Sequence, residues 1–242
     1  MDSDLKNDLE LRNHDGIFIL YLNTKENRFN PTYINKIHDA LDIVEANKGP
    51  TALITISTSS KIWSNGLDLD YWKREGDDKG HQLVSDFIRL CGRLLVFPCP
   101  TIACINGHAF AGGCMFAMAH DYRYMLKGKG FICLPEIDLN MNLPRGMSTV
   151  CQVKCTPQVF LDLIYGRRFT SEEAEEYRLI TRSCNKKTIF EQCYTLAKEK
   201  VDRGVNKKTL KELKYQAYKE AYEACRSGDL KVDVKPVMRA KI

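Results

Sequence analysis

Nowhere in its 242 residues does the chain carry the roughly 18 consecutive apolar residues of a bilayer-spanning helix, which argues against a membrane span. It lacks C-x-x-C spacing as well. The nearest of its ten cysteines, Cys151 and Cys155, stand four apart without the second pair that a structural zinc site needs. There is no long basic block. The net charge of +5 comes from 36 Lys+Arg against 31 Asp+Glu, alternating in sign through the C-terminal quarter, so it suits a phosphate-bearing small molecule better than nucleic acid. No Pro/Ser-rich linker divides the chain, and the polar, acidic start Met1-Asp2-Ser3-Asp4 is unlike a secretory signal. Free, buried thiols in a reducing intracellular compartment are the expectation.

What is present is enough to fill a core: 44% of the residues are hydrophobic, at a mean hydropathy of -0.34. Gly16 to Leu22 reads as a strand. Asn30, with Pro31 at the first helical position, opens a helix whose Ile34, Ile37, Leu41 and Val44 share one face until Lys48-Gly49-Pro50. Thr51 to Ser57 is a second strand, Gln82 to Phe97 a helix ended by Pro98 and Pro100, Thr101 to Ile105 a buried strand, Cys114 to Ala119 a short apolar helix and Tyr122 to Met125 a strand. Beyond Pro157 the pattern is helical over Val159 to Tyr165, Ser171 to Tyr177, Ile189 to Val201 and Thr209 to Cys225. The alternation predicts an α/β domain over 1-185 and a helical C-terminal region over 186-242 suited to self-association.

Three segments carry candidate chemistry. Gly112-Gly113 lies between a buried strand and a helix start, where unpaired N–H groups and the helix dipole favour negative charge. A second glycine turn, Ser64-Asn65-Gly66-Leu67-Asp68-Leu69, follows another strand, and amides from two such turns can converge on one oxygen. Glu136 follows a proline amid Phe131, Ile132, Leu134 and Ile137, a setting that raises a carboxyl pKa toward the range useful for proton transfer. His108, His120 and Cys114 read as loop or packing residues, Asp121 as ordering the start of a strand, and Arg28 as a cation able to meet phosphates.

In order and spacing these segments resemble the crotonase, or enoyl-CoA hydratase/isomerase, superfamily over roughly residues 14–200. Ser64-Asn65-Gly66-Leu67-Asp68-Leu69 is similar to its first oxyanion turn, Pro100 to Asp121 to its P-x-I-A-x-(I/V)-N-G…GG…CD core, and Leu134 to Leu139 to its P-E-x-x-L element. The resemblance implies a spiral of ββα units that associates into homotrimers or homohexamers and binds acyl-CoA without metal or redox cofactor, coenzyme A being part of the substrate. It implies an oxyanion hole made by the N–H groups of Leu67 and Gly112, with Ser64, Asn65, Gly66, Asp68, Leu69 and Gly113 lining the substrate site.

The superfamily's hydratases use two glutamates, and Met115 stands here in place of the first. Glu136 keeps the second position. Another isomerase subgroup carries its acid in a later P-E-G segment, where this chain has Leu143-Pro144-Arg145-Gly146. Together with S-N-G-x-D-L, I-N-G-H-A, H-D-Y and E-(V/I)-D, this resembles plant-type peroxisomal Δ3,Δ2-enoyl-CoA isomerases, and implies that Glu136 shuttles the proton. An enoyl-CoA hydratase, an acyl-CoA hydrolase or a non-catalytic acyl-CoA-binding relative are the alternatives. The C-terminal Ala240-Lys241-Ile242 resembles a variant of the S-K-L peroxisomal address, so a peroxisomal location is expected.

Overall fold

The computed structural model describes residues 8–227. Its strands fall into pairs. β1 (Leu9–His14) and β2 (Ile17–Leu22) form an antiparallel hairpin, followed by α1 (Pro31–Ala46). Then come β3 (Ala52–Ser57), β4 (Ile62–Ser64), α2 (Leu69–Glu75) and α3 (Asp77–Leu95). The unit repeats as β5 (Thr101–Ile105), β6 (His108–Phe110) and α4 (Gly112–Ala119), and again as β7 (Tyr122–Leu126), β8 (Ile132–Cys133), a 3₁₀ turn at Pro135–Ile137 and α5 (Arg145–Gln152). The chain continues through α6 (Pro157–Ile164), α7 (Ser171–Glu176), β9 (Arg182–Cys184), α8 (Ile189–Lys200), a 3₁₀ turn at Val201–Gly204 and α9 (Lys207–Arg226).

In the repeats that begin at β3, β5 and β7 the first strand joins one sheet and the second joins another. The large sheet has the order β1-β2-β3-β5-β7-β9, parallel from β2 onward, and β4-β6-β8 form a smaller parallel sheet. This is the spiral of ββα units that the sequence resemblance implied. β3 and β5 are nearly continuous runs of buried side chains, as expected where a parallel sheet is covered on both faces. One face meets α1, α3 and α4 through Phe18, Leu53, Ala103 and Met125, and the other meets α8 through Ile54, Ile102, Cys104 and Cys193.

Several local signals act as read. The Asn30 side chain accepts the Tyr33 N–H at 2.9 Å with Pro31 opening α1, and Glu172 and Glu173 fall in the first turn of α7, where the structure adds a capping box between Thr170 and Glu173. Asp121 accepts from Thr101 N–H at 2.8 Å, and Lys214 of α9 donates to it at 2.6 Å. The C-terminal helices are therefore packed onto the spiral, α8 on the sheet and α9 against α3 and α5. All ten cysteines are free thiols, nine of them buried. Among the described residues no helix is long and apolar enough to cross a membrane.

Candidate active site

The oxyanion-type arrangement comes from the touching of two turns. Gly66, at φ +79°, follows β4, and Ser64 locks the turn by accepting the Gly66 N–H at 3.1 Å while donating to Asn27 O at 2.7 Å. Leu67 makes a parallel bridge to Phe29 in which Gly66 O accepts from Phe29 N–H and Asp68 N–H donates to Phe29 O, both at 2.8 Å. Those bonds use the groups flanking Leu67, and successive amides of an extended strand point to opposite sides, so the Leu67 N–H faces away from Phe29. Across the gap, Gly112 is the first residue of α4, and its N–H is one of the donors that a helix leaves without an intrahelical acceptor.

Glycine is required at position 66, and little space is left for a side chain at position 112. A Cβ on Gly66 would lie 2.6 Å from Gly112 N, and one on Gly112 would lie 3.3 Å from Leu67 N and 3.1 Å from Phe87 Cζ. Ala111, directly before the helix, sits at φ 52°, which costs an alanine free energy and is stored beside the site. The seat is rigid underneath, with Phe29 packed on Phe87 at 4.8 Å and on Phe116 at 5.2 Å between ring centres.

Leu67, Gly112 and Glu136 all line one cavity of about 540 Å³. Glu136 is carried there by the 3₁₀ turn after β8 and is 8% exposed. Its Oε2 has no hydrogen-bond partner, and burial pushes the carboxyl from 4.5 up to about 8. Met115, Val84, Leu139 and Met147 give the cavity an apolar wall, while Arg28, Lys61 and Arg168 also line it. Arg28 is paired with Glu26 at 2.6 Å. The lining thus combines a buried carboxyl, apolar side chains and three cations.

The structure sorts the residues read from sequence. Asn65, Leu67, Leu69, Gly112 and Glu136 line the cavity; Ser64, Gly66, Asp68 and Gly113 are absent from its wall and act behind it. Asp68 caps α2 by accepting the Tyr71 N–H at 3.0 Å, and Gly113 packs on Ser64. His120 is structural: the Phe116 carbonyl can only accept, so Nδ1 donates to it at 2.8 Å and Nε2 accepts from Thr55 at 2.9 Å. Burial lowers its pKa to about 3 and keeps it neutral. His108 does line the cavity, with Nδ1 accepting the Phe131 N–H at 3.1 Å and its pKa lowered by burial and by Lys61 and Arg168. Cys114 is fully buried and its thiol is pushed well up, so it is unreactive.

Lys61, Arg168 and Asn27 escaped the sequence reading. Arg168 reaches the cavity because Phe169 pairs with Ile132 of β8, and the only sequence signal was the doublet Arg167-Arg168. Asn27, wholly buried at φ 49°, donates to Ser57 Oγ and Trp63 O and so holds the first turn from behind. Among the described residues no group of three His, Cys, Asp or Glu side chains could hold a metal ion.

Comparison with known proteins places the chain in one family. Enoyl-CoA delta isomerase 2, peroxisomal, of Arabidopsis thaliana is 31% identical over 172 residues, 68% of this chain and 72% of that protein. Enoyl-CoA delta isomerase 1, peroxisomal, of the same plant is 34% identical over 152 residues, 60% of each chain. The fold matches the crystal structure of an enoyl-CoA hydratase/isomerase family protein from Pseudomonas syringae with a TM-score of 0.84 at 22% identity, over 93% of this chain and 96% of that one. The family model of enoyl-CoA hydratase/isomerase matches residues 12–242, and the chain belongs to that family of enzymes acting on acyl-CoA substrates.

Proposed function

We propose that the chain is a Δ3,Δ2-enoyl-CoA isomerase serving fatty-acid β-oxidation, in which Glu136 alone carries the proton. The observation that supports this most is the pairing of Glu136, buried and without a partner for Oε2, with Met115 at the position where the family's hydratases hold a second acid. One carboxyl suffices for a 1,3-proton shift; activating a water between two acids requires another.

In this reading the thioester oxygen lies between the N–H groups of Leu67 and Gly112. The Glu136 carboxylate takes the proton at C2, and the C–H electrons form a dienolate with its charge on that oxygen. Glu136 then returns the proton at C4, leaving the double bond between C2 and C3. A pKa near 8 makes the carboxylate a stronger base than an ordinary glutamate, and each oxyanion amide supplies roughly 3 kcal/mol to the charged state. The apolar wall keeps water from the dienolate. Arg28, Lys61 and Arg168 suit the coenzyme's phosphates, and no metal or redox cofactor takes part.

Assembly into homotrimers or homohexamers belongs to the same proposal, supported by exposed apolar side chains such as Leu161 and Tyr165 of the C-terminal half. A peroxisomal location is supported by the names of the two plant relatives; Ala240-Lys241-Ile242 lies outside the described residues. The test supplies 3-enoyl-CoA and 2-enoyl-CoA separately. Conversion of the first to 2-trans-enoyl-CoA with no hydration of the second is expected, and hydration of the second at a comparable rate would refute the reading.

A further inference from the structure

β6 and β8 each lead into a part of the site, since Gly112 lies just beyond the end of β6 and Glu136 just beyond the end of β8. The register of these two strands therefore sets how the carboxyl stands relative to the Leu67 and Gly112 amides. The register is short: Ala109 pairs with Ile132 and Phe110 with Cys133. Ile132 spends both its N–H and its C=O on Phe169, at 3.1 Å each. β6 thus grips β8 through the residues on either side of Ile132, the Ala109 N–H donating to Phe131 O at 2.9 Å and the Ala111 N–H to Cys133 O at 3.1 Å.

The remaining bond at Phe131 is made by a side chain. Its N–H donates to Nδ1 of His108 at 3.1 Å. Gly130, at φ +88°, brings it there by lying so close to the Gly107 backbone that a Cβ would stand 2.7 Å from Gly107 C. The His108 ring is steadied by Phe110 at 4.7 Å and Phe131 at 5.7 Å between ring centres. An accepting Nδ1 means a neutral ring with its proton on Nε2, because imidazolium donates from both nitrogens. Burial opposes protonation, and so do the charged groups that bear on the ring, Lys61, Arg168 and Lys129, all of them cations. We infer that His108 is a positioning residue for the proposed reaction, its Nδ1 completing the junction of β6 with β8 and so setting Glu136 against the Leu67 and Gly112 amides. This rests on the isomerase reading for what Glu136 does; His108 acts through Phe131 and β8, without contact to the reacting atoms.

Asparagine and glutamine separate the two ring nitrogens. In His108→Asn, Oδ1 takes the place of Nδ1 and accepts the Phe131 N–H; in His108→Gln, the amide reaches the place of Nε2 and leaves that N–H without its acceptor. Melting curves establish that each variant folds. With 3-enoyl-CoA, kcat of the Gln variant should lie about tenfold below that of the Asn variant at similar KM, because a misplaced base slows the chemical step and leaves binding alone. Hydrogen exchange at the Phe131 amide should be slow in the wild type and in His108→Asn, and about fivefold faster or more in His108→Gln. Equal kcat values overturn the inference, and so does the reverse order or a difference confined to KM, either of which would put the ring on the substrate. A wild-type Phe131 amide that exchanges as fast as an unbonded one overturns it whatever the variants do. If the wild type converts no 3-enoyl-CoA, the isomerase reading fails, while the exchange arm still decides whether the ring holds Phe131.

Discussion

At the scale of single residues, burial gives Glu136 a measurable signature. Its carboxyl titrates near 8, so kcat/KM should rise with pH along an acid limb centred near 8, far above an ordinary glutamate, in a pH–rate profile. Stability should carry the opposite trace. Between 4.5, its ordinary value, and about 8 the folded chain retains a proton that the unfolded chain releases, so the group's contribution falls as pH rises through that window and is lost above it. Glu136→Gln has no proton to lose. Its melting temperature should therefore gain on that of the wild type from pH 4.5 to 8 and hold a constant lead beyond, and comparing the two isolates Glu136 from Lys154, which burial lowers to about 7 with the opposite slope. Glu136 was legible in sequence through the resemblance of Leu134 to Leu139 to the P-E-x-x-L element, its proline and four apolar neighbours being too weak a signal alone. Arg168 was not, since only the pairing of Phe169 with Ile132, distant in sequence, brings it to the cavity.

Elements explain why two remote glycines work together. β4 and β6 lie side by side in the small sheet, with Ile62 opposite His108, and the turn that follows each one carries an amide that the proposed mechanism uses as an oxyanion donor. Gly112→Ala would press its methyl against Phe87 and into the space beside Leu67 N, parting the donors. The expected outcome is a fall in kcat of about a hundredfold with little change in KM, measured by steady-state kinetics. Asp68→Ala removes the cap of α2 and should cost about 1 kcal/mol in urea denaturation. Long elements such as α1, α3 and β5 were readable from periodicity and punctuation. β4, β6 and β8 were not, because two or three residues are too few to show alternation, and the seven residues of α2 are too few to show a helical period.

For the whole molecule, α9 ties the end of the described chain back to the sheet. Lys214 donates to Asp121 and to the carbonyls of Phe97 and Cys99 with its side chain 11% exposed, so it closes the loop before β5 and the start of β7 in one contact. Lys214→Met removes the ion-pair partner of Asp121, leaves it only its bonds from Thr101, and should destabilise the fold by about 3 kcal/mol in urea. The exposed pair Arg12–Glu10 is a control, and Arg12→Ala should leave the unfolding midpoint unchanged. The spiral was legible only through the order of motifs, since which strand joins which sheet depends on pairings that no local pattern encodes. The same order picked out Leu67, Gly112 and Glu136, which the structure sets on one cavity. The most direct test of the central claim, that one carboxyl moves the proton, is the conversion of 3-enoyl-CoA to 2-trans-enoyl-CoA by wild type and by Glu136→Gln at pH 8. A loss of about a thousandfold in kcat with the substrate still bound is expected, and a variant within a few-fold of the wild type would contradict it.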